Sequence, residues 1–281
     1  MMTIVRITVL EAARRRLVWA LVALTIVMVV LTGWGFERLV TLARGRGVSE
    51  LQLTVGLSQT VILVAFMFSF VLAMTAAFFA APALAADIDS GVAQAMLARP
   101  LRRSQFLLGK WLGLSIVIAA YAVAAGVVEL VVIRFLTGYV PPDPAGAVGY
   151  LTAEAIVLLT LALVLGGRLP GIASGAIVVA VYGLAWVAGV MGAVGAFFNT
   201  PALVQAAEAS RVLVPIDGLW RGAVFSLEPP AVLFVAAQES RFQGNPFFAG
   251  EPPSAAYLAW TLLWVAAVLA VGIWAFRRRE I

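Results

Sequence analysis

Residues 56–82 read GLSQTVILVAFMFSFVLAMTAAFFAAP, a run without a single charged side chain. This run is longer than the roughly 20 apolar residues that a helix needs to cross the hydrocarbon core of a bilayer. Comparable runs occur elsewhere in the chain, in which 63% of the residues are hydrophobic and only 12% are charged. A water-soluble fold cannot sort such a composition into an interior and a surface, so the sequence predicts an integral membrane protein.

We predict six transmembrane helices within a single transmembrane domain that covers residues 1–281. The apolar windows lie at about 17–35, 56–82, 111–133, 150–167, 171–195 and 256–276. Each window is a continuous run rich in Leu, Ala, Val and Ile, whereas the strands of a transmembrane β-barrel are shorter and alternate in hydrophobicity. The expected fold class is therefore an all-α membrane protein.

The basic residues predict the orientation of these spans. In a six-span arrangement most of them fall on one side: before the first span, after the second and fourth spans, and at the C-terminus. The positive-inside rule makes that side the cytoplasm and places both termini there. We expect the protein in the cell (inner or plasma) membrane. Topology explains its excess of base, so nucleic acid is not an expected partner.

Missing residue types exclude several kinds of membrane enzyme. The chain contains no Cys and no His, which excludes thiol nucleophiles, imidazole bases and the usual zinc or haem ligands. Gly109-Lys110 lacks the upstream Gly and the Ser or Thr of a Walker A phosphate loop. We therefore expect no catalytic, metal or cofactor site in this chain. Transport driven by ATP would need another chain to bind the nucleotide.

A hydrophilic stretch joins the second and third spans. Residues 87–113 read DIDSGVAQAMLARPLRRSQFLLGKWLG. Asp89 or Ser90 can cap a short helix that begins near Gly91, and Pro100 would end it. From composition alone the stretch is either an ordinary polar connector or a helix held between two spans, on which a partner protein can push.

This stretch resembles the coupling segment of six-span permease subunits of ATP-binding-cassette exporters, the class that includes drug, polysaccharide and copper-enzyme-maturation exporters. The family pattern is an acidic pair, Gly-Thr, a short helix, Pro with a nearby Arg, and Gly-Lys. The residues that match it are Asp87, Asp89, Gly91, Leu97, Arg99, Pro100, Arg103, Gly109 and Lys110. The chain departs from the pattern where Asp replaces Glu and Val92 replaces Thr. The six spans, an N-terminal interfacial helix and a basic tail extend the resemblance over essentially the whole chain.

The resemblance implies a function and a set of partners. Such a permease pairs with a second permease subunit, identical or related, and binds two copies of a cytoplasmic ATPase that carries ATP and Mg²⁺. The coupling helix would lie in a groove on the ATPase, and the substrate would move out of the cell. Nearby arginines would pair with acidic residues of the ATPase or with anionic lipid. Two other functions also fit the residues, a proton-coupled secondary transporter and a passive membrane anchor or channel.

The first residues of the chain predict a short amphipathic helix before the first span. Ile4, Ile7 and Leu10 with Val5 and Val9 form its apolar side, and charged residues occupy the other side. This helix either lies in the membrane interface or is a solvated extension of the first span.

Residues 196–255 form the longest region outside the spans and are predicted to face the outside. Their apolar character and their prolines predict short helices at the outer surface, including one over 212–227. Within it, Pro215, Asp217 and Arg221 resemble a Pro-x-Asp-x-x-aromatic-Arg pattern of some of these permeases. Asp217 and Arg221 are four residues apart on a helix, so they form either a structural ion pair or part of an outer gate.

Two acidic residues lie within or close to predicted spans: Glu129 in the third span and Glu154 early in the fourth. Charges at membrane depth are costly, so each is a candidate functional residue. Arg134 lies near the same level and is a suitable partner. The glutamates therefore either make a structural contact with Arg134 or contact a cation or the substrate, and a proton-coupled transporter would use one of them as its carrier.

Overall fold

The computed structural model describes residues 1–14, 16–91, 102–238 and 244–278. Within these ranges the chain forms helices and no β-strand, which confirms the all-α class. The helices, numbered in chain order, are α1 (Met2–Arg14), α2 (Arg16–Gly45), α3 (Glu50–Asp89), α4 (Arg103–Thr137), α5 (Pro144–Gly166), α6 (Gly171–Phe197), α7 (Pro201–Leu213), α8 (Asp217–Leu227), α9 (Pro230–Gln238) and α10 (Ala255–Arg277).

Six of these helices are long and apolar enough to cross a membrane: α2 from Val18, α3, α4, α5, α6 and α10. The predicted number of spans is therefore confirmed. Several helices extend beyond their predicted windows, since α2 continues to Gly45, α3 continues to Asp89 and α4 begins at Arg103. The windows were chosen by apolar character, whereas a helix continues through polar residues wherever its backbone hydrogen bonds are made.

The centre of the bundle is formed by α3 and α5. Ile62 and Leu72 of α3 and Leu158 and Leu159 of α5 are almost completely buried. In contrast, only 6% of the apolar window of α2 is buried, so α2 lies at the edge of the bundle. The most exposed and the most buried spans are thus consecutive in the chain.

Three shorter helices, α7 to α9, follow α6 at one end of the bundle. The predicted helix over 212–227 is wrong at its start, because α7 ends at Leu213 and α8 begins only at Asp217. Pro215 lies between them, and proline lacks a backbone N–H and disfavours helix in the residue before it. Two tryptophans of α10 fix the end of α7: Trp260 and Trp264 donate hydrogen bonds from Nε1 to the carbonyl oxygens of Val212 (3.0 Å) and Leu213 (2.7 Å).

Candidate functional site

A buried ion cluster joins three helices at the end of the bundle that carries α1. Lys110 of α4 has a side chain that is only 4% exposed. Its Nζ lies 2.6 Å from Oδ2 of Asp87 in α3 and 3.3 Å from Oε2 of Glu11 in α1. An ammonium group is tolerated at such burial only when it is paired. We call Glu11, Asp87 and Lys110 the Lys110 cluster.

Two glycines of α4 bring α1 close to this cluster. A Cβ on Gly109 would lie 2.9 Å from Cβ of Ile4, and one on Gly113 would lie 2.7 Å from Cβ of Thr8. Side chains at these positions would push α1 away, so glycine is required for the close approach. The face of α1 that is buried in this way consists of Ile4, Val5, Thr8 and Ala12.

The predicted apolar side of α1 is divided between two surroundings. Ile4 and Val5 are buried, whereas Ile7 and Leu10 are 41% and 47% exposed. Hydrophobicity alone does not show which of two apolar faces of a helix packs on its neighbour. The glycines of α4 determine which face of α1 packs there. Because Ile4 and Thr8 pack on α4, α1 is held against the bundle, and its location in the membrane interface stays a prediction.

The acidic end of α3 leads into the predicted coupling segment. Asp89 is exposed, and Ser90 closes the helix, since both its N–H (3.0 Å) and its Oγ (2.6 Å) donate to the carbonyl oxygen of Ala86. Gly91 follows with φ of 74°, a conformation that favours glycine. The short helix predicted after Gly91 lies outside the described residues. So do three of the predicted coupling residues: Leu97, Arg99 and Pro100.

Arg103 connects the start of α4 to the end of α10. Its Nη1 donates to the carbonyl oxygens of Phe276 (3.2 Å) and Arg277 (3.0 Å), and the ring of Phe106 stacks on that of Phe276 with centroids 6.1 Å apart. A guanidinium group is favourable at the negative end of a helix dipole. The sequence did not predict this role, because no local pattern relates residues so far apart in the chain.

Asp217 is the centre of a second ion cluster, at the opposite end of the bundle. The predicted pair with Arg221 is confirmed, with 3.2 Å between Nε and Oδ2. The prediction missed Arg211, whose Nε lies 2.5 Å from the same oxygen, because the helix break at Pro215 removes any periodic relation between them. Asp217 is buried and lies against Gly189 of α6, where a Cβ would collide with Oδ1. The cluster thus connects α6, α7 and α8.

Glu154 belongs to a buried hydrogen-bond chain across three spans. The hydroxyl of Ser69 in α3 donates to Oε2 of Glu154 in α5 at 3.0 Å. The same hydroxyl lies 3.0 Å from Oη of Tyr182 in α6. All three side chains are buried, so Glu154 is partnered without Arg134.

Glu129 lies in α4 without the predicted arginine contact. Among the described residues no ion pair joins it to Arg134, which is exposed. Five residues along a helix correspond to a rotation of about 140°, so the two side chains point in different directions. The Thr32 hydroxyl of α2 approaches the carboxyl group. However, neither oxygen of Glu129 has a partner in hydrogen-bonding geometry within the described part of the chain.

Glu228, which the sequence did not single out, is a buried acid just after α8. Its side chain is 1% exposed, and this burial raises its pKa to about 8, although the backbone of Ala249 lowers it part of the way. The hydroxyl of Tyr139 donates to the carbonyl oxygen of Leu227 at 3.0 Å. Burial raises the pKa of Tyr139 as well, and the charge of Glu228 adds to that effect.

Comparison with known proteins identifies the family. The model of the family described as "ABC-2 family transporter protein" matches residues 2–281, which include all six membrane-crossing helices and both ion clusters. No curated protein was found to match the sequence. Permeases of this family are membrane subunits that associate with an ABC ATPase and are not enzymes themselves. The chain therefore belongs to the ABC-2 transporter family, as a multi-pass permease subunit.

Proposed function

We propose that this permease exports its substrate from the cell as one of two permease subunits, identical or related, that bind two copies of a cytoplasmic ATPase. Both termini and the segment around residues 92–101 would lie in the cytoplasm. The observation that carries the proposal is the Lys110 cluster. Asp87 lies near the end of α3, which precedes this segment in the chain, and Lys110 lies near the start of α4, which follows it.

The Lys110 cluster would transmit a movement of the segment to the helices that the cluster joins. Because Asp87 and Lys110 are joined at 2.6 Å, a push on the segment moves α3 and α4 together. Glu11 and the contacts of Ile4 and Thr8 make α1 follow. Two-state movements of packed elements are the usual means by which distant sites are coupled.

Asp87 and Asp89, the acidic pair, would have different roles. Asp87 acts inside the permease, where it neutralises Lys110. Asp89 is exposed, as is Arg102, and both are available to the ATPase. Leu97, Arg99 and Pro100 of the intervening segment would complete the docking surface.

The Asp217 cluster would act as the outer gate. Movement of α3 would reach α6 through Ser69 and Tyr182, which are buried between these helices. Asp217 lies against Gly189 of α6, so a shift of α6 would displace the carboxylate from Arg211 and Arg221. Pro215 would keep α7 and α8 as separate bodies on either side of this contact.

Purification of the tagged permease from its native membrane tests the proposal. An ATPase should be recovered in equal copies, and scrambling residues 92–101 should abolish its recovery. The control replaces Arg38, Arg44 and Arg46 by Gln. These bases lie near the C-terminal end of α2, opposite the end that follows α1, so recovery of the ATPase should remain intact. Recovery that survives the scrambling, or no ATPase from both detergent and lipid nanodiscs, would contradict the proposal.

A proton-coupled secondary transporter is the second candidate, favoured by the carboxyl of Glu129 within a span, which has no ion pair in the described part of the chain. Transport in reconstituted vesicles distinguishes the two. ATP and the ATPase drive the exporter, whereas a pH gradient without ATP drives the secondary transporter.

A further inference from the structure

Glu129 is a buried acid with no ion pair among the described residues. Its side chain is 5% exposed, and neither carboxyl oxygen has a hydrogen-bond partner among the described residues. Glu154, the buried acid of α5, in contrast receives a hydrogen bond from Ser69. An ionised carboxylate in apolar surroundings costs several kcal/mol unless a cation accompanies it or a proton neutralises it.

The carboxyl lines a small cavity between α3, α4 and α5. The cavity has a volume of about 40 Å³, and Glu129 is the one polar residue among the described residues that line it. Phe68, Ile133 and Leu151 form part of its apolar wall. At about 10–15 Å³ for each water molecule, a space of this size accepts roughly three waters or one compact polar group.

A larger apolar groove lies next to this cavity. The groove runs between α2 and α3, has a volume of about 260 Å³ and is walled by side chains such as Phe36 and Met67. Thr32 lines the groove and also approaches the carboxyl of Glu129, and Val64 lines both spaces. A molecule with an apolar body in the groove can therefore place a polar end at Glu129.

We propose that Glu129 binds the protonated amine of an amphipathic substrate whose apolar body occupies the groove between α2 and α3. An ammonium group is compact, carries the missing positive charge and donates up to three hydrogen bonds, to Glu129 and to the hydroxyl of Thr32. A carboxylate repels anions, and a neutral head group would leave its charge uncompensated. As an assignment of substrate class, the inference rests on the transport function proposed above.

Binding to the purified permease tests this assignment. The permease, without any ATPase, is placed in nanodiscs of phosphatidylcholine, and the fluorescence of dansylcadaverine, an apolar ring system with a primary amine, reports binding over empty nanodiscs. The N-acetylated form of the same probe is the neutral control. Wild type should bind the amine at least about tenfold more tightly than the neutral form, as expected for charge-assisted hydrogen bonds. Glu129→Gln should abolish this preference.

Glu228→Gln is the matched control, because it makes the same change at another buried carboxyl, which the backbone of Ala249 approaches as Thr32 approaches Glu129. It should retain the preference for the amine. If Glu129→Gln fails to fold, Ala147→Val is tested in its place. This substitution fills the cavity while the charge of Glu129 is kept, so it should also abolish the preference for the amine. Equal binding of the two probes by wild type would overturn the inference. So would a preference that persists in a folded Glu129→Gln or Ala147→Val variant.

The experiment separates this inference from the transport proposal. Because no ATPase is present, failure to recover an ATPase from the native membrane leaves the binding result unaffected. Loss of amine binding, in turn, leaves the coupling role of the Lys110 cluster standing.

Discussion

Lys110 is a single side chain on which the arrangement of three helices depends. Replacing it with Met would leave the buried Asp87 carboxylate without its cation. Loss of one partner of a buried ion pair costs about 3 kcal/mol or more, so we expect a clear fall in the midpoint of thermal unfolding of Lys110→Met in nanodiscs. Arg102→Met, at an exposed position nearby, should change stability by less than about 0.5 kcal/mol.

A double variant provides the control for this prediction. Asp87→Asn removes the charge that Lys110→Met leaves behind, so the double variant should regain part of the lost stability. If Lys110→Met is as stable as Arg102→Met, the Lys110 cluster is not a structural link.

The burial of Glu228 should make the stability of the fold depend on pH. Its pKa is raised to about 8 by burial, above the value in the unfolded chain, so the folded protein holds the extra proton between these values. The contribution of Glu228 to stability is therefore fully present below about pH 4.5 and is lost as pH rises towards 8. We expect the unfolding midpoint of wild type to fall over this window. Glu228→Gln should lack this component, and an unchanged pH profile in that variant would contradict the prediction.

The contact between α1 and α4 is tested through one glycine. A side chain on Gly113 would meet Cβ of Thr8, so Gly113→Val should detach α1 from the bundle. Hydrogen exchange of residues 2–14 should become faster. Gly149→Val in α5 is the matched control, because a Cβ there has no neighbour within 4 Å. Equal exchange in the two variants would mean that the glycines of α4 do not hold α1.

The helices show which features the sequence could predict. Apolar runs define the six spans because the bilayer imposes a minimum length, and the four-residue spacing of Asp217 and Arg221 defines their ion pair within one helix. Similar depth in the membrane was misleading for Glu129 and Arg134, which lie on different sides of α4. Contacts between distant parts of the chain, such as Arg211 with Asp217, depend on how whole helices are placed, and no local pattern contains that information.

The orientation of the whole molecule in the membrane is open to direct test, because the chain contains no Cys and any introduced thiol is unique. Ser90 and Val48 are both exposed and lie at opposite ends of α3. A membrane-impermeant maleimide should label Ser90→Cys from the cytoplasmic side and Val48→Cys from the outside. The reverse pattern would place the coupling segment outside the cell and contradict the proposed function.

The central claim is that the segment between α3 and α4 receives the ATPase, and labelling of Ser90→Cys in inside-out vesicles tests it most directly. The ATPase recovered by co-purification is added at saturating concentration, and the rate of maleimide labelling is compared with and without it. We predict that the ATPase strongly slows labelling of Ser90→Cys, and that it leaves the rate for Val48→Cys in permeabilised vesicles unchanged. An equal rate for Ser90→Cys with and without bound ATPase would contradict the claim.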